Sequence, residues 1–319
     1  MRKLQLISGR SHPVLAKKVA RLVKIPLSPV EIKNFASGEI YVRVGKKVRG
    51  NDVFVIQSLV SPVNDNLMEL LILVDALKRA SAGRINLICP FICYSRQDRK
   101  ADSREPITAK LVANLISKAG ADRLLTIDLH ADQIQGFYDI PVDHFVGYPL
   151  FAKYLKKKRY KDMVVVSPDI GGLKRANKMA DLLGLPIAVI DKIRKKHNCA
   201  EVAHVVGEVK GKIAVIIDDI IDTGGSIVVA AEVLKERGAK KIIVCATHGL
   251  LSGKASENLQ KSCVDKVLFL DSVPISKEKR FAKMEILSIA SLLAKIIKRI
   301  HTGQSLGVLF KWEKKGRRL

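Results

Sequence analysis

The chain has 319 residues, 48% of them hydrophobic and 27% charged. That composition excludes a disordered or fibrous protein and is enough for about two domains whose cores need no disulfide or structural metal. Lys and Arg number 56 against 31 Asp and Glu, a formal charge of +25, which draws anions of every kind without choosing among nucleic acid, acidic membrane and phosphorylated metabolite.

Short apolar runs alternate with helix-period segments. In chain order the runs 4–7, 53–57, 85–89 and 124–127 predict strands. So do 164–166, 187–190, 213–217, 242–246 and 267–270. They are continuously apolar rather than alternating, as parallel strands covered on both faces require. Between them, 66–80 predicts a helix with Leu67, Leu70, Leu71, Val74 and Leu77 on one stripe. Segment 106–119 predicts a helix with Pro106 in its first turn, and 286–300 a third helix with three- and four-residue spacing. Strand–helix alternation predicts doubly wound α/β topology with parallel sheets, whose ligands sit beyond the carboxyl ends of the strands.

The pattern breaks at 146–161, so the predicted division is 1–146 and 147–319. Each half holds an apolar strand ending in acid, LLTIDLHAD in the first and AVIIDDIIDTGGS in the second, which hints at an old duplication.

The cysteines Cys89, Cys93, Cys199, Cys245 and Cys263 are odd in number and form no CxxC pair, and free thiols in a reducing compartment are the expectation. The first residues, MRKLQLISGR, lack an apolar signal region, and no run reaches the ~18 apolar residues of a membrane span. The reading is a cytoplasmic protein with no membrane partner. The basic runs 156–159 and 311–318 lack the interleaved aromatics of a single-strand stacking platform and read as solvated surface, so no specific nucleic-acid partner is expected.

The most informative segment is VIIDDIIDTGGSI, 215–227. A strand delivers adjacent carboxylates, Asp218 and Asp219. The turn Asp222-Thr223-Gly224-Gly225-Ser226 then opens a helix at Ile227. Small residues let backbone N–H groups approach a phosphate, and the helix N-terminus favours the anion. The bland alternative is a helix capped by Asp222, Thr223 or Ser226. The segment is not a Walker A loop, because the stretch at 207–212 has the wrong spacing and no Ser or Thr after its lysine.

This loop resembles that of type I phosphoribosyltransferases and of ribose-phosphate pyrophosphokinases. Four further stretches, Phe35-Ala36-Ser37-Gly38-Glu39, the run 94–106, Asp128-Leu129-His130 and Asp191-Lys192-Ile193-Arg194, make the whole chain resemble the second, phosphate-activated family. The resemblance implies two similar doubly wound domains of phosphoribosyltransferase type I, with the last helix packing back on the first. It implies transfer of the β,γ-diphosphoryl group of ATP to the C1 hydroxyl of ribose 5-phosphate, with Mg²⁺.

It assigns ATP to Phe35, Ser37, Gly38, Glu39, Arg96, Gln97, Asp98 and Arg99, and ribose 5-phosphate to Arg194, Asp218, Asp219 and 222–226. Mg²⁺ contacts fall on His130 and Asp169, with Asp128, Asp139 and Asp143 as further acids. Lys192 and Arg194 become the catalytic cations. A regulatory site for phosphate and ADP falls on Arg49, Ser81, Arg104, Gln135 and Ser305. Homo-oligomers, commonly hexamers with shared active sites, are implied as well. The competing readings are a type I phosphoribosyltransferase and a non-catalytic regulatory paralogue.

Overall fold

The computed structural model describes residues 2–193 and 202–309, with the backbone alone at 192, 193, 202 and 203. It divides into two compact units. Unit 1 takes Met1–Phe145, Ser272–Pro274 and Ser288–Val308, and unit 2 takes Val146–Asp271 and Ile275–Leu287.

Unit 1 runs β1 (Leu4–Ser8), α1 (Pro13–Val23), β2 (Val30–Asn34), β3 (Ile40–Val44), β4 (Asp52–Ile56), α2 (Val63–Arg79), β5 (Arg84–Ile88), α3 (Thr108–Ala119), β6 (Arg123–Ile127) and β7 (Val142–Phe145). Its main sheet is parallel, in the order β1-β4-β5-β6-β7, while β2 and β3 form a separate antiparallel pair. All five residues of β4 are buried, as a strand covered on both faces requires. On α2 the buried face is Leu70, Leu73, Val74 and Leu77, and it also carries Asn66 and Glu69.

Unit 2 runs α4 (Tyr148–Lys158), β8 (Met163–Ser167), α5 (Leu173–Leu183), β9 (Ile187–Ile193), β10 (Val202–Val206), β11 (Ile213–Ile221), α6 (Gly225–Glu236), β12 (Lys241–Gly249), α7 (Ala255–Lys261), β13 (Lys266–Leu270) and β14 (Met284–Leu287). Its sheet has the order β10-β9-β8-β11-β12-β13-β14, parallel except for the edge pair β9–β10. From β1 and from β8 the elements follow in one order: strand, helix, two antiparallel strands, strand, helix, strand, helix, strand, strand. The repetition therefore lies in topology. The two acid-ended strands noticed in the sequence are not counterparts, since β11 answers to β4 and β6 answers to β13.

The structure corrects two predicted helices. Residues 284–287 form β14, and the helix, α8, spans Ala290–His301. The apolar pattern runs through both, and a strand of four residues is too short to show its own period. Pro106 precedes the N-cap of α3, Ile107, so it ends the preceding loop rather than opening the helix.

Helix α8 belongs to unit 1, where it packs on α1. Its last residue, His301, places Nδ1 2.8 Å from Oδ2 of Asp52, and Arg84 donates to both Asp52 and the Ile300 carbonyl. Burial acts to raise the Asp52 carboxyl, but the hydrogen bonds from Arg84 and His301 outweigh it and hold the group below its ordinary value.

Candidate active site

The loop after β11 is built by its glycines. Gly224 takes φ 76°, a left-handed conformation that a Cβ would strain, and so turns the chain into α6 two residues earlier than the sequence suggests. The N-cap of α6 is Gly224, not Asp222, Thr223 or Ser226, and a glycine has no side chain with which to cap the helix. A Cβ on Gly225 would meet nothing within 4 Å, which leaves room over the first turn of the helix for an anion to reach the amides. Thr223 and Ser226 are exposed beside it.

Asp218 and Asp219 end the buried run of β11 next to this turn. Arg175 of α5 lies 3.2 Å from Oδ1 of Asp218 and 3.4 Å from Oδ1 of Asp219. Burial, and then the charge of Asp219, push the Asp218 carboxyl well above its ordinary value. Arg175 opposes the rise only in part. Arg175 was not singled out in the sequence, where Lys174-Arg175 is one more basic pair on a helix. On β8 of the same unit, Asp169 follows the strand, and its Oδ1 accepts from Gly172 N at 2.8 Å. Lys192 lies on β9, its backbone opposite Ala203 of β10. Arg194 lies outside the described residues.

The nucleotide candidates stand in unit 1. Phe35, Ser37, Gly38 and Glu39 form the exposed turn between β2 and β3, closed by Phe35 N to Glu39 O at 2.8 Å, with Gly38 at φ 90°. Arg96, Gln97 and Arg99 are exposed after β5. Gln97 accepts from Thr108 at 2.5 Å and Asp98 from Gln133 at 3.0 Å, so these two brace the loop that carries the arginines.

Asp128 follows β6, buried, at φ 44°, and His130 is exposed two residues on. The turn is held by His144, unremarked in the sequence, whose Nε2 accepts from Leu129 N at 3.0 Å. Asp139 is exposed. Asp143 is half-buried and paired with Arg123 at 2.7 Å. Among the described residues no group of three or more His, Cys, Asp or Glu could hold a metal by itself. Isolated oxygen and imidazole donors fit Mg²⁺ that keeps its waters and arrives on a polyphosphate, as this ion prefers.

Arg49 bridges to Ala82, and Gly50 N donates to the Ser81 carbonyl, which brings Arg49 close to Ser81. Arg49 also lines a cavity of about 880 Å³ with Arg2, Lys3, Lys46 and Lys47. Arg104 and Ser81 both take positive φ, Gln135 is exposed, and the Ser305 carbonyl accepts from Arg299. Cys89, Cys93, Cys245 and Cys263 are free thiols, and burial pushes Cys93 up to about 12. Cys199 lies outside the described residues.

Paired parallel-sheet units of this topology define an α/β protein of the type I phosphoribosyltransferase class. The sequence model for the N-terminal domain of ribose phosphate pyrophosphokinase matches residues 4–120, and that for the phosphoribosyl synthetase-associated domain matches 202–311. The ribose-phosphate pyrophosphokinase of Clostridium perfringens is 50% identical over 97% of this chain and 98% of its own. That of Bacillus subtilis is 48% identical over 97% and 98%. The crystal structure of phosphoribosylpyrophosphate synthetase from Mycobacterium smegmatis superposes with a TM-score of 0.90 at 47% identity, covering 95% of this chain and all of that one. The chain belongs to the ribose-phosphate pyrophosphokinase family.

Two outcomes are expected. Gly225→Ala should leave the melting temperature unchanged, because its methyl enters open space, yet raise KM for a sugar phosphate by roughly 10- to 100-fold by displacing the anion from the amides. Thermal melts and initial rates check both halves.

Asp218→Asn should abolish most activity and raise the melting temperature by roughly 2–4 °C at neutral pH without divalent cations. A carboxyl whose folded pKa is raised makes the fold bind more protons than the unfolded chain, so stability falls as pH climbs above the ordinary 3.8. The advantage of Asn should therefore vanish below that pH, which melts across a pH series will show.

Proposed function

We propose that this chain is a ribose-phosphate diphosphokinase: ribose 5-phosphate and ATP give 5-phosphoribosyl 1-pyrophosphate and AMP, for nucleotide biosynthesis. The observation that carries the reading is the N-terminus of α6, with a glycine at its cap and an open Gly225, on the loop that follows the acid pair of β11. The 5-phosphate takes the amides of Gly224, Gly225 and Ser226, with hydroxyls from Thr223 and Ser226 and the carboxylate of Asp222 bordering the turn. Asp218 and Asp219 accept from the ribose hydroxyls, and Arg175 offsets their mutual repulsion.

Phe35 stacks on adenine, with Ser37 and Gly38 shaping the turn and Glu39 accepting from the amino group. Arg96 and Arg99 pair with phosphate oxygens, held in place by Gln97 and Asp98. The C1 oxygen attacks the β-phosphorus, the bond from that phosphorus to the α,β-bridging oxygen breaks, and AMP departs. The proton of the C1 hydroxyl passes to solvent. Lys192 and Arg194 neutralise the charge that develops on the transferring group, the main contribution open to a protein in such transfers. Mg²⁺ bound with the substrates, near His130, Asp169, Asp128 or Asp139, would supply further charge neutralisation on the polyphosphate.

Phosphate and ADP bind a regulatory site that includes Arg49, Ser81, Arg104, Gln135 and Ser305. The basic surroundings of Arg49 support an anion there. The enzyme works as a homo-oligomer, a hexamer by family resemblance, in the cytoplasm. The free thiols suit a reducing compartment, and no described helix is long and apolar enough to cross a membrane.

Purified protein given ribose 5-phosphate, MgATP and phosphate should form AMP only when the sugar is present. Lys192→Ala should lower kcat by roughly 10³-fold or more. No AMP from the wild type would contradict the assignment. Undiminished activity in Lys192→Ala would remove that side chain's role alone.

A further inference from the structure

The Phe35–Glu39 turn stands on a two-stranded sheet that shares no ladder with the main sheet of unit 1. Its residues are exposed, and Phe35 itself is 51% exposed. Its stacking partner is Tyr41 of β3, edge-on with ring centroids 5.7 Å apart. Ser37 Oγ donates to Glu39 Oε2 at 2.9 Å, which orders the turn internally but does not fix it to the rest of the unit, and a side chain must be held in place to serve as a binding platform.

The register of the two units shows where a tether comes from. Leu4 pairs with Asp52 in unit 1 as Met163 pairs with Ile213 in unit 2, so Gln57-Ser58 occupies the position of Asp218-Asp219. In unit 1 that position is filled. Gln57 accepts from Ser11 Oγ at 2.7 Å and donates to Glu69 Oε1 at 3.0 Å, and a Cβ on Gly9 would lie 2.2 Å from Gln57 Oε1. The buried carboxylate of Glu69, 2% exposed, also grips Arg10. Its Oε1 accepts from Arg10 N at 2.7 Å and its Oε2 from Arg10 Nε at 2.5 Å. The far end of the same guanidinium donates from Nη1 to Asn34 Oδ1 at 2.7 Å, and Asn34 Nδ2 donates to the Gly38 carbonyl at 3.3 Å.

We propose that Arg10 is a positioning residue for the adenine nucleotide: it ties the Phe35–Glu39 turn, through Asn34, to the buried carboxylate of Glu69. The role rests on the reading that this turn meets the nucleotide. A guanidinium suits the task because its planar fork presents separate donors to two acceptors at once, which a lysine ammonium on one flexible stem does not reproduce. The place a sugar phosphate would occupy in unit 1 has become the anchor of the loop for the other substrate.

The test is steady-state kinetics with both substrates varied, on the full chain. Arg10→Ala and Asn34→Ala should each raise KM for ATP about tenfold, the loss of a hydrogen bond to a charged group. KM for ribose 5-phosphate should stay within about twofold in both variants. Asn34→Ala should keep the melting temperature within about 2 °C, whereas Arg10→Ala should lower it, because it leaves the buried Glu69 carboxylate without its guanidinium. The two effects should not add in the double variant, because each breaks the same tether. Arg10→Lys should resemble Arg10→Ala rather than the wild type.

Phe35→Ala separates the two layers of the argument. If it leaves KM for ATP unchanged, the turn does not meet the nucleotide, and the positioning role falls with that reading. If it raises KM for ATP while Arg10→Ala and Asn34→Ala do not, the turn reading stands and the tether is overturned. An equal rise in both KM values in Arg10→Ala would also overturn it, since Arg10 would then serve the fold alone.

Discussion

Backbone amides can hold an anion only where no side chain already satisfies them. The first amides of a helix have no partner within it, and most helices answer them with a capping side chain or water. At α6 the N-cap is a glycine, which has no side chain to offer, and the residue over the first turn is a second glycine with open space above it. Two adjacent carboxylates of β11 then sit close enough to be costly, and Arg175 lies against both. Such an arrangement weakens the empty protein and suits a ligand that brings hydroxyls and cations with it.

Unit 1 carries the same order of elements to a different end. Where unit 2 has an acid pair and a glycine turn, unit 1 has a closed network of Gln57, Ser11, Glu69 and Arg10. One topology thus yields an open site and a filled one, and the difference rests on a few side chains at equivalent strand ends. Function follows the site rather than the fold.

Much of this was legible in the sequence because buried parallel strands are continuous apolar runs, and β1, β4, β5, β6, β8, β9, β11, β12 and β13 all announce themselves so. The strands that were not legible are short and partly exposed. β2 has three half-buried residues followed by two exposed ones, and none of the four residues of β14 is buried, so neither leaves a clear period. The glycine turn was visible as DTGGS, although its helix starts two residues earlier than expected, since Gly224 supplies the turn through its backbone. Arg175, His144 and Glu69 were not visible. Each is an ordinary polar residue whose importance comes from what the fold sets beside it, and Glu69 lies on a face of α2 where periodicity calls for an apolar side chain.

The most direct measurement is of the backbone amides themselves. Nitrogen-15-labelled protein titrated with ribose 5-phosphate, and with unphosphorylated ribose as control, reports each N–H separately. The account predicts large, saturable shifts at Gly224, Gly225 and Ser226 with the phosphorylated sugar and none of comparable size with ribose. Saturable binding of the phosphorylated sugar that leaves those three amides unmoved would contradict it.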